Sequence, residues 1–150
     1  MKILLHAKAD ANQIRPANGV TALFTASCRN CVASAYTLVA AKATVNQCRF
    51  IGDGPLFAAC QRGFTDLVEM FIAAKADVDL RNNNGNSPIR LACGNGYPDV
   101  VKIMLDAGAN YNNIDGAGGR AIDYARLRRR WSVVAVLSEW IKKKESQNRQ

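Results

Sequence analysis

Side chains of the same kind return every thirty-three residues along this chain, and that period limits what it can fold into. Thr21-Ala22-Leu23-Phe24, Gly54-Pro55-Leu56-Phe57, Ser87-Pro88-Ile89-Arg90 and Arg120-Ala121-Ile122-Asp123 stand at equal intervals, and Ala26, Ala59, Ala92 and Ala125 follow in register. The apolar triads Thr37-Leu38-Val39, Met70-Phe71-Ile72, Ile103-Met104-Leu105 and Val136-Leu137-Ser138 keep the same step. A fixed period of this size marks a solenoid. No single unit can bury its own apolar face, so neighbours stack into one continuous core.

Within each period the punctuation predicts two short helices. Pro55 and Pro88 suit the first turn of a helix, where the missing N–H has no partner to lose. Gly63 and Gly96 supply the turn that follows. First helices are expected near Thr21–Arg29, Pro55–Arg62, Pro88–Asn95 and Ala121–Arg128. Second helices are expected near Val32–Ala41, Thr65–Ala74, Pro98–Ala107 and Trp131–Lys143, with their apolar triads facing inward. The stretches 46–53, 79–86 and 112–119 are rich in Gly, Asn and Asp, as tight turns require.

The pattern resembles the ankyrin repeat. Its most typical stretch runs Pro55-Leu56-Phe57-Ala58-Ala59-Cys60-Gln61-Arg62-Gly63-Phe64 and leads on to Ala76-Asp77-Val78-Asp79. Ser87-Pro88, Gly96-Tyr97 and Gly108-Ala109 match in the following unit. The resemblance implies an all-α ankyrin-repeat solenoid, with helix-turn-helix units and projecting hairpin fingers. Its expected divisions are a partial repeat over 1–14, repeats over 15–47, 48–80 and 81–113, a capping repeat over 114–145 and a polar tail over 146–150. Asp115-Gly116-Ala117-Gly118-Gly119 could pass for a phosphate-cradling loop. No Lys-Ser/Thr follows it and no buried strand precedes it, so it reads as a finger.

Three departures from the family pattern stand out. Phe24, Phe57, Arg90 and Asp123 replace the histidine of the usual Thr–His pair. Lys8, Lys42 and Lys75 stand where the family ends its second helix with glycine. If the left-handed turn is kept there, each costs about 1–2 kcal/mol. At the amino end, Ile3 to Asn12 match only the close of a second helix and its finger. The chain is therefore expected either to be cut from a longer array or to fold this remnant back as a cap, with its weakest layer over 1–14. The carboxyl end reads as finished.

Composition bears on function class. No apolar run reaches the eighteen residues a membrane span needs, and Met1 to Lys8 is too broken for a signal peptide, so an intracellular location and no membrane contact are expected. The five cysteines follow no disulfide framework. Cys60 and Cys93 share a repeat position with Ser27, where small residues let helices approach. Cys28 and Cys31 form a lone Cys-x-x-Cys pair, open to reading as half a zinc site or a redox pair, but lacking a second pair at zinc spacing. The single histidine, His6, leaves no Cys-His or Ser-His arrangement, so no catalytic residue, metal or cofactor is expected.

What the resemblance implies instead is a protein or peptide partner, bound on the concave groove and the fingers. The groove positions carried over are Arg29 in the first unit, and Phe50, Ile51, Asp53, Gln61 and Arg62 in the second. Asn83, Asn84, Asn86 and Asn95 follow in the third, and Leu127 and Arg128 in the fourth. Arg29, Arg62 and Arg128 share one repeat position, with Asn95 in the gap. Stacked helices lie about 8–10 Å apart, where two such charges repel by only about 0.4 kcal/mol in water. A solvated stripe and a docking track for an acidic segment both fit that pattern.

Phe50 and Ile51 are either an exposed anchor for a partner or packing for the neighbouring finger. The net charge of +8 is concentrated late, with nine basic against three acidic side chains from Arg120 onward. Arg128-Arg129-Arg130 and Lys142-Lys143-Lys144 therefore keep a nuclear or nucleic-acid-binding role as the alternative. Trp131 and Trp140 are expected to pack the last layer. Oligomeric state stays open.

Overall fold

The computed structural model describes residues 10–147. Among them are eight helices and no strand: α1 (Ala22–Cys28), α2 (Val32–Ala40), α3 (Pro55–Arg62), α4 (Thr65–Ala73), α5 (Pro88–Asn95), α6 (Pro98–Asp106), α7 (Ala121–Leu127) and α8 (Trp131–Gln147). They form four antiparallel pairs. The first helices of the pairs stack in one row and the second helices in another, and the first row packs more closely. Unequal spacing bends the stack and leaves α1, α3, α5 and α7 on the concave side.

Small side chains explain the closer row. Ala26, Ala59, Ala92 and Ala125 are all buried where α1, α3, α5 and α7 meet, and Ser27, Cys60 and Cys93 beside them have no exposed surface. Cys60 and Cys93 thus serve as small apolar residues. Enlarging Ala59, which has no exposed surface, would force these helices apart at a cost of about 1–3 kcal/mol. Larger side chains fill the space between the rows: Leu67, Phe71, Ile89, Val101, Met104, Val133 and Leu137 are fully buried in one continuous core.

Helix boundaries follow the local chemistry. Thr21 Oγ1 accepts the N–H of Phe24 at 3.0 Å and caps α1, while Pro55, Pro88 and Pro98 open α3, α5 and α6. Gly63 and Gly96 end α3 and α5 in the left-handed region, and Asn30 and Arg129 take that conformation one period away, at φ 54° and 55°. Lys42 and Lys75 keep the left-handed turn without glycine, at φ 67° and 64°. The strain expected of them is therefore present.

The last helix is longer than the sequence pattern implies. It runs to Gln147 rather than stopping near Lys143. Nothing in Lys-Lys-Lys-Glu-Ser-Gln breaks a helix, and lysines in the final turns favour its negative end. Trp140 packs edge-on against Tyr111, with ring centroids 5.3 Å apart. Trp131 departs from its expected place in the last layer: it is 63% exposed. As the first residue of α8, with Val133 and Leu137 on the buried face, it points away from the core.

At the other end, Ile3, Leu4, Leu5, His6 and Lys8 lie outside the described residues. Asn12 is tied to the following unit. Its Oδ1 accepts the N–H of Thr44 at 2.7 Å. Asn46 and Asp79 repeat the device, accepting the N–H of Asp77 and of Asn110, each at 2.9 Å. An Asn or Asp after one pair of helices thus holds the loop of the next.

Candidate protein-binding groove

Successive fingers are joined by backbone hydrogen bonds. Phe50 N–H donates to Asn18 O, Asn83 N–H to Ile51 O and Gly116 N–H to Asn84 O, each at 3.1 Å. The finger turns need φ > 0 at Gly19, Gly52, Gly85 and Gly118. At the third finger, Asn82 Oδ1 accepts the N–H groups of Asn84 and Asn86, both at 3.0 Å. Asp115 does the same at the fourth, accepting from Ala117 and Gly119 at 2.9 Å.

Asp53 is not a surface residue. It is 5% exposed, and its carboxylate accepts from Arg49 Nε at 3.1 Å and from Asn82 Nδ2 at 2.9 Å. It therefore locks the second finger to the third, and it corrects the expectation of a groove contact. The cause is a residue of the next unit: Asn82 reaches back and covers it. Arg49 also lies over the ring of Phe24, 5.1 Å from its centroid.

The remaining groove residues are accessible. Phe50 and Ile51 are 59% and 50% exposed, yet Phe50 also lies against Gly19, so anchor and neighbour-packing are not exclusive. Arg29, Gln61, Arg62, Asn83, Asn84 and Arg128 are exposed, with Asn86 and Asn95 half-buried. Leu127, beside Arg128, is 78% exposed.

Hydrogen bonds one period apart connect part of the expected stripe. Asn95 Nδ2 donates to Gln61 O at 2.8 Å, and Arg128 Nη1 donates to Asn95 Oδ1 at 3.1 Å. Burial raises the Cys28 thiol and outweighs the opposing pull of Arg62 and Arg49. Ion pairs among the described residues are Arg49–Asp53, Arg90–Asp115 and Arg120–Asp123, so Arg29, Arg62 and Arg128 have no carboxylate within reach there.

Charge is divided between the rows. The first helices and the residues closing them carry Arg29, Arg62, Arg90, Arg126 and Arg128 against Asp123 alone, and Asp123 pairs with Arg120. In α4 and α6 the balance reverses, with Asp66, Glu69, Asp99 and Asp106 against Lys102. The basic run Arg128-Arg129-Arg130 forms a turn rather than a flat strip. Arg129 holds the left-handed corner, and Arg130 lies on Gly96 with its Nε 3.5 Å from Gly94 O.

A family model of ankyrin repeats, in three copies, matches residues 35–115. The chain belongs to the ankyrin repeat family. No curated protein matches it. Ankyrin repeats are generally protein–protein interaction modules and typically not catalytic. No helix of the described residues is long and apolar enough to cross a membrane.

A cluster that the sequence pattern did not flag also lies on this ankyrin face. Arg90, Asp115 and Tyr124 meet between the third and fourth fingers. The signal for it was Arg90 itself, a charge standing where the family has histidine.

Proposed function

We propose that this ankyrin array is a non-catalytic adaptor that takes an acidic segment of a partner protein on its concave face. Arg29, Arg62 and Arg128 would meet the partner's carboxylates, and Phe50 with Ile51 would anchor an apolar side chain beside them. Gln61, Asn83, Asn84, Asn86 and Asn95 supply hydrogen bonds along the same face. The observation that carries the reading is the charge of the first-helix row, where these arginines have no intramolecular carboxylate among the described residues.

Magnitudes assign the roles. An exposed ion pair contributes about 0.2–1 kcal/mol, so three together give at most about 3 kcal/mol. A hot-spot side chain contributes about 2 kcal/mol or more. The arginines would therefore select the partner and speed encounter, while the apolar anchor supplies much of the affinity.

The test is capture of partners from a cell extract, identified by mass spectrometry, with three variants beside the wild type. Arg29→Glu/Arg62→Glu should abolish capture, and Phe50→Ala/Ile51→Ala should weaken it by about 2 kcal/mol while the fold survives. Binding should also fall as salt rises, since charges beyond about 8 Å are screened at physiological ionic strength. If only Lys142→Glu/Lys143→Glu matters, the contact lies at the basic carboxyl end, and the nucleic-acid reading replaces this one.

A further inference from the structure

Between the third and fourth fingers the concave face dips into a cavity of about 770 Å³. Its floor is built from three interlocked side chains. The guanidinium of Arg90 stacks on Tyr124, with Cζ 3.5 Å from the ring centroid, and Arg90 Nε lies 2.7 Å from Asp115 Oδ2. Tyr124 donates its hydroxyl to that same oxygen at 2.7 Å. The other oxygen of Asp115 already accepts the N–H groups of Ala117 and Gly119. Both oxygens of the carboxylate are committed.

Arg90 is held on two sides, and its Nη atoms have no hydrogen-bond acceptor among the described residues. An arginine side chain ordinarily surrenders much rotamer entropy when it is fixed. Here stacking and the Asp115 contact have fixed it in advance. A second cation, Arg81, stands at the rim, where its Nη1 donates to Ile114 O at 3.1 Å. Arg81 and Arg90 against Asp115 leave the cavity with one positive charge in excess.

The rest of the lining fits a peptide. The carboxamides of Asn84 and Asn86 have no hydrogen bonds to the described residues, although the backbone N–H groups of both are used by Asn82. A free carboxamide offers one acceptor and two donors, the complement of a peptide unit. Ile114 is exposed at the wall and can cover a methylene stem.

We propose that this cavity is a subsite for the carboxylate side chain of an extended peptide, with the Nη edge of Arg90 pairing both oxygens and Asn84 and Asn86 reading the peptide backbone. The subsite rests on the reading of the concave face as a partner-binding surface, and it adds a second acidic position to the segment that crosses the arginine stripe. A single excess positive charge matches a monoanion. A dianionic phosphoryl group would set its second charge against Asp115.

The inference is tested on the full chain labelled with ¹⁵N, titrated with the blocked peptide acetyl-Ala-Ala-Glu-Ala-Ala-amide. Saturable shifts are expected at Arg90 Nε–H and at the side-chain NH₂ groups of Asn84 and Asn86, with affinity at least tenfold weaker for the same peptide carrying Gln in place of Glu. Arg90→Gln should remove the response. Because that change leaves Asp115 unpaired, Asn84→Ala/Asn86→Ala provides a second variant with an intact floor, expected to bind several-fold more weakly. Lys75→Gly, a change confined to the second row, should bind within about twofold of wild type. Equal binding of the Glu and Gln peptides, shifts confined to Arg29 and Arg62, or tighter binding of the same peptide carrying phosphoserine in place of Glu would each overturn the proposal. The first two outcomes would leave the wider groove reading standing if partner capture still depends on Arg29 and Arg62.

Discussion

The ring of Phe50 covers Gly19 so closely that a Cβ on residue 19 would lie 2.6 Å from Phe50 Cδ1. Gly19 is also left-handed, with φ 71°. One aromatic thus has two jobs: it packs the first finger and still offers most of its surface outward.

Gly19→Ala should therefore destabilise the array by about 1–2 kcal/mol from backbone strain, with the steric conflict adding to it. Phe50→Ala in the same background should recover the steric part and leave the strain. Urea unfolding of the two single variants and the double variant separates these contributions. Additive losses would mean that the ring moves aside freely.

Lys42→Gly and Lys75→Gly should each stabilise the protein by about 1 kcal/mol, because glycine adopts the left-handed corner without the Cβ penalty. For a chain of this size that raises Tm by about 2–4 °C. Calorimetry of the two variants checks it, and an unchanged or lower Tm would show the corner to be unstrained.

Acid should weaken the joint between the third and fourth units. Desolvation pushes the Asp115 carboxyl up, but the Tyr124 hydroxyl, the N–H groups of Gly119 and Ala117, and Arg90 outweigh it and hold it at about 2. A lowered carboxyl contributes stability that is full above its unfolded value, near 3.9, and is lost as pH falls through its folded value. Asp115→Asn should therefore be clearly less stable than wild type at pH 7. The gap should narrow as the pH falls from about 4 towards 2. Urea midpoints of both proteins across that range provide the measurement, and a constant gap would exclude the linkage.

Thiol labelling should divide the cysteines by depth. Cys60 and Cys93 are buried between first helices, and desolvation raises both thiols, Cys93 to about 12. Cys31 is exposed. With an aromatic disulfide reagent under native conditions, Cys31 should react first, and Cys60 and Cys93 only on unfolding. Rapid reaction of Cys60 in the native protein would mean that α3 opens locally.

The helices were legible because proline and glycine punctuate them. Pro55, Pro88, Gly63 and Gly96 place α3 and α5 to the residue, and Asn30 and Arg129 were hidden because neither advertises a left-handed corner. Exposure was legible where register alone decides it, as at Arg29, Arg62 and Arg128. It was not legible where a side chain of a neighbouring unit decides it. Asp53 looks like a surface carboxylate until Asn82 and Arg49 close over it. Likewise Arg90, Asp115 and Tyr124 are spread along the chain, and only the stacking of two units makes them a cluster.

In all three finger-to-finger backbone bonds the later finger donates and the earlier one accepts. Asn83 Nδ2 adds a second tie, to Phe50 O at 3.1 Å. A ligand that wedges under one fingertip must stretch the bond to its neighbour, which draws on the next in turn. Each fingertip is therefore braced by its neighbours, and lifting one costs the hydrogen bonds it shares with them.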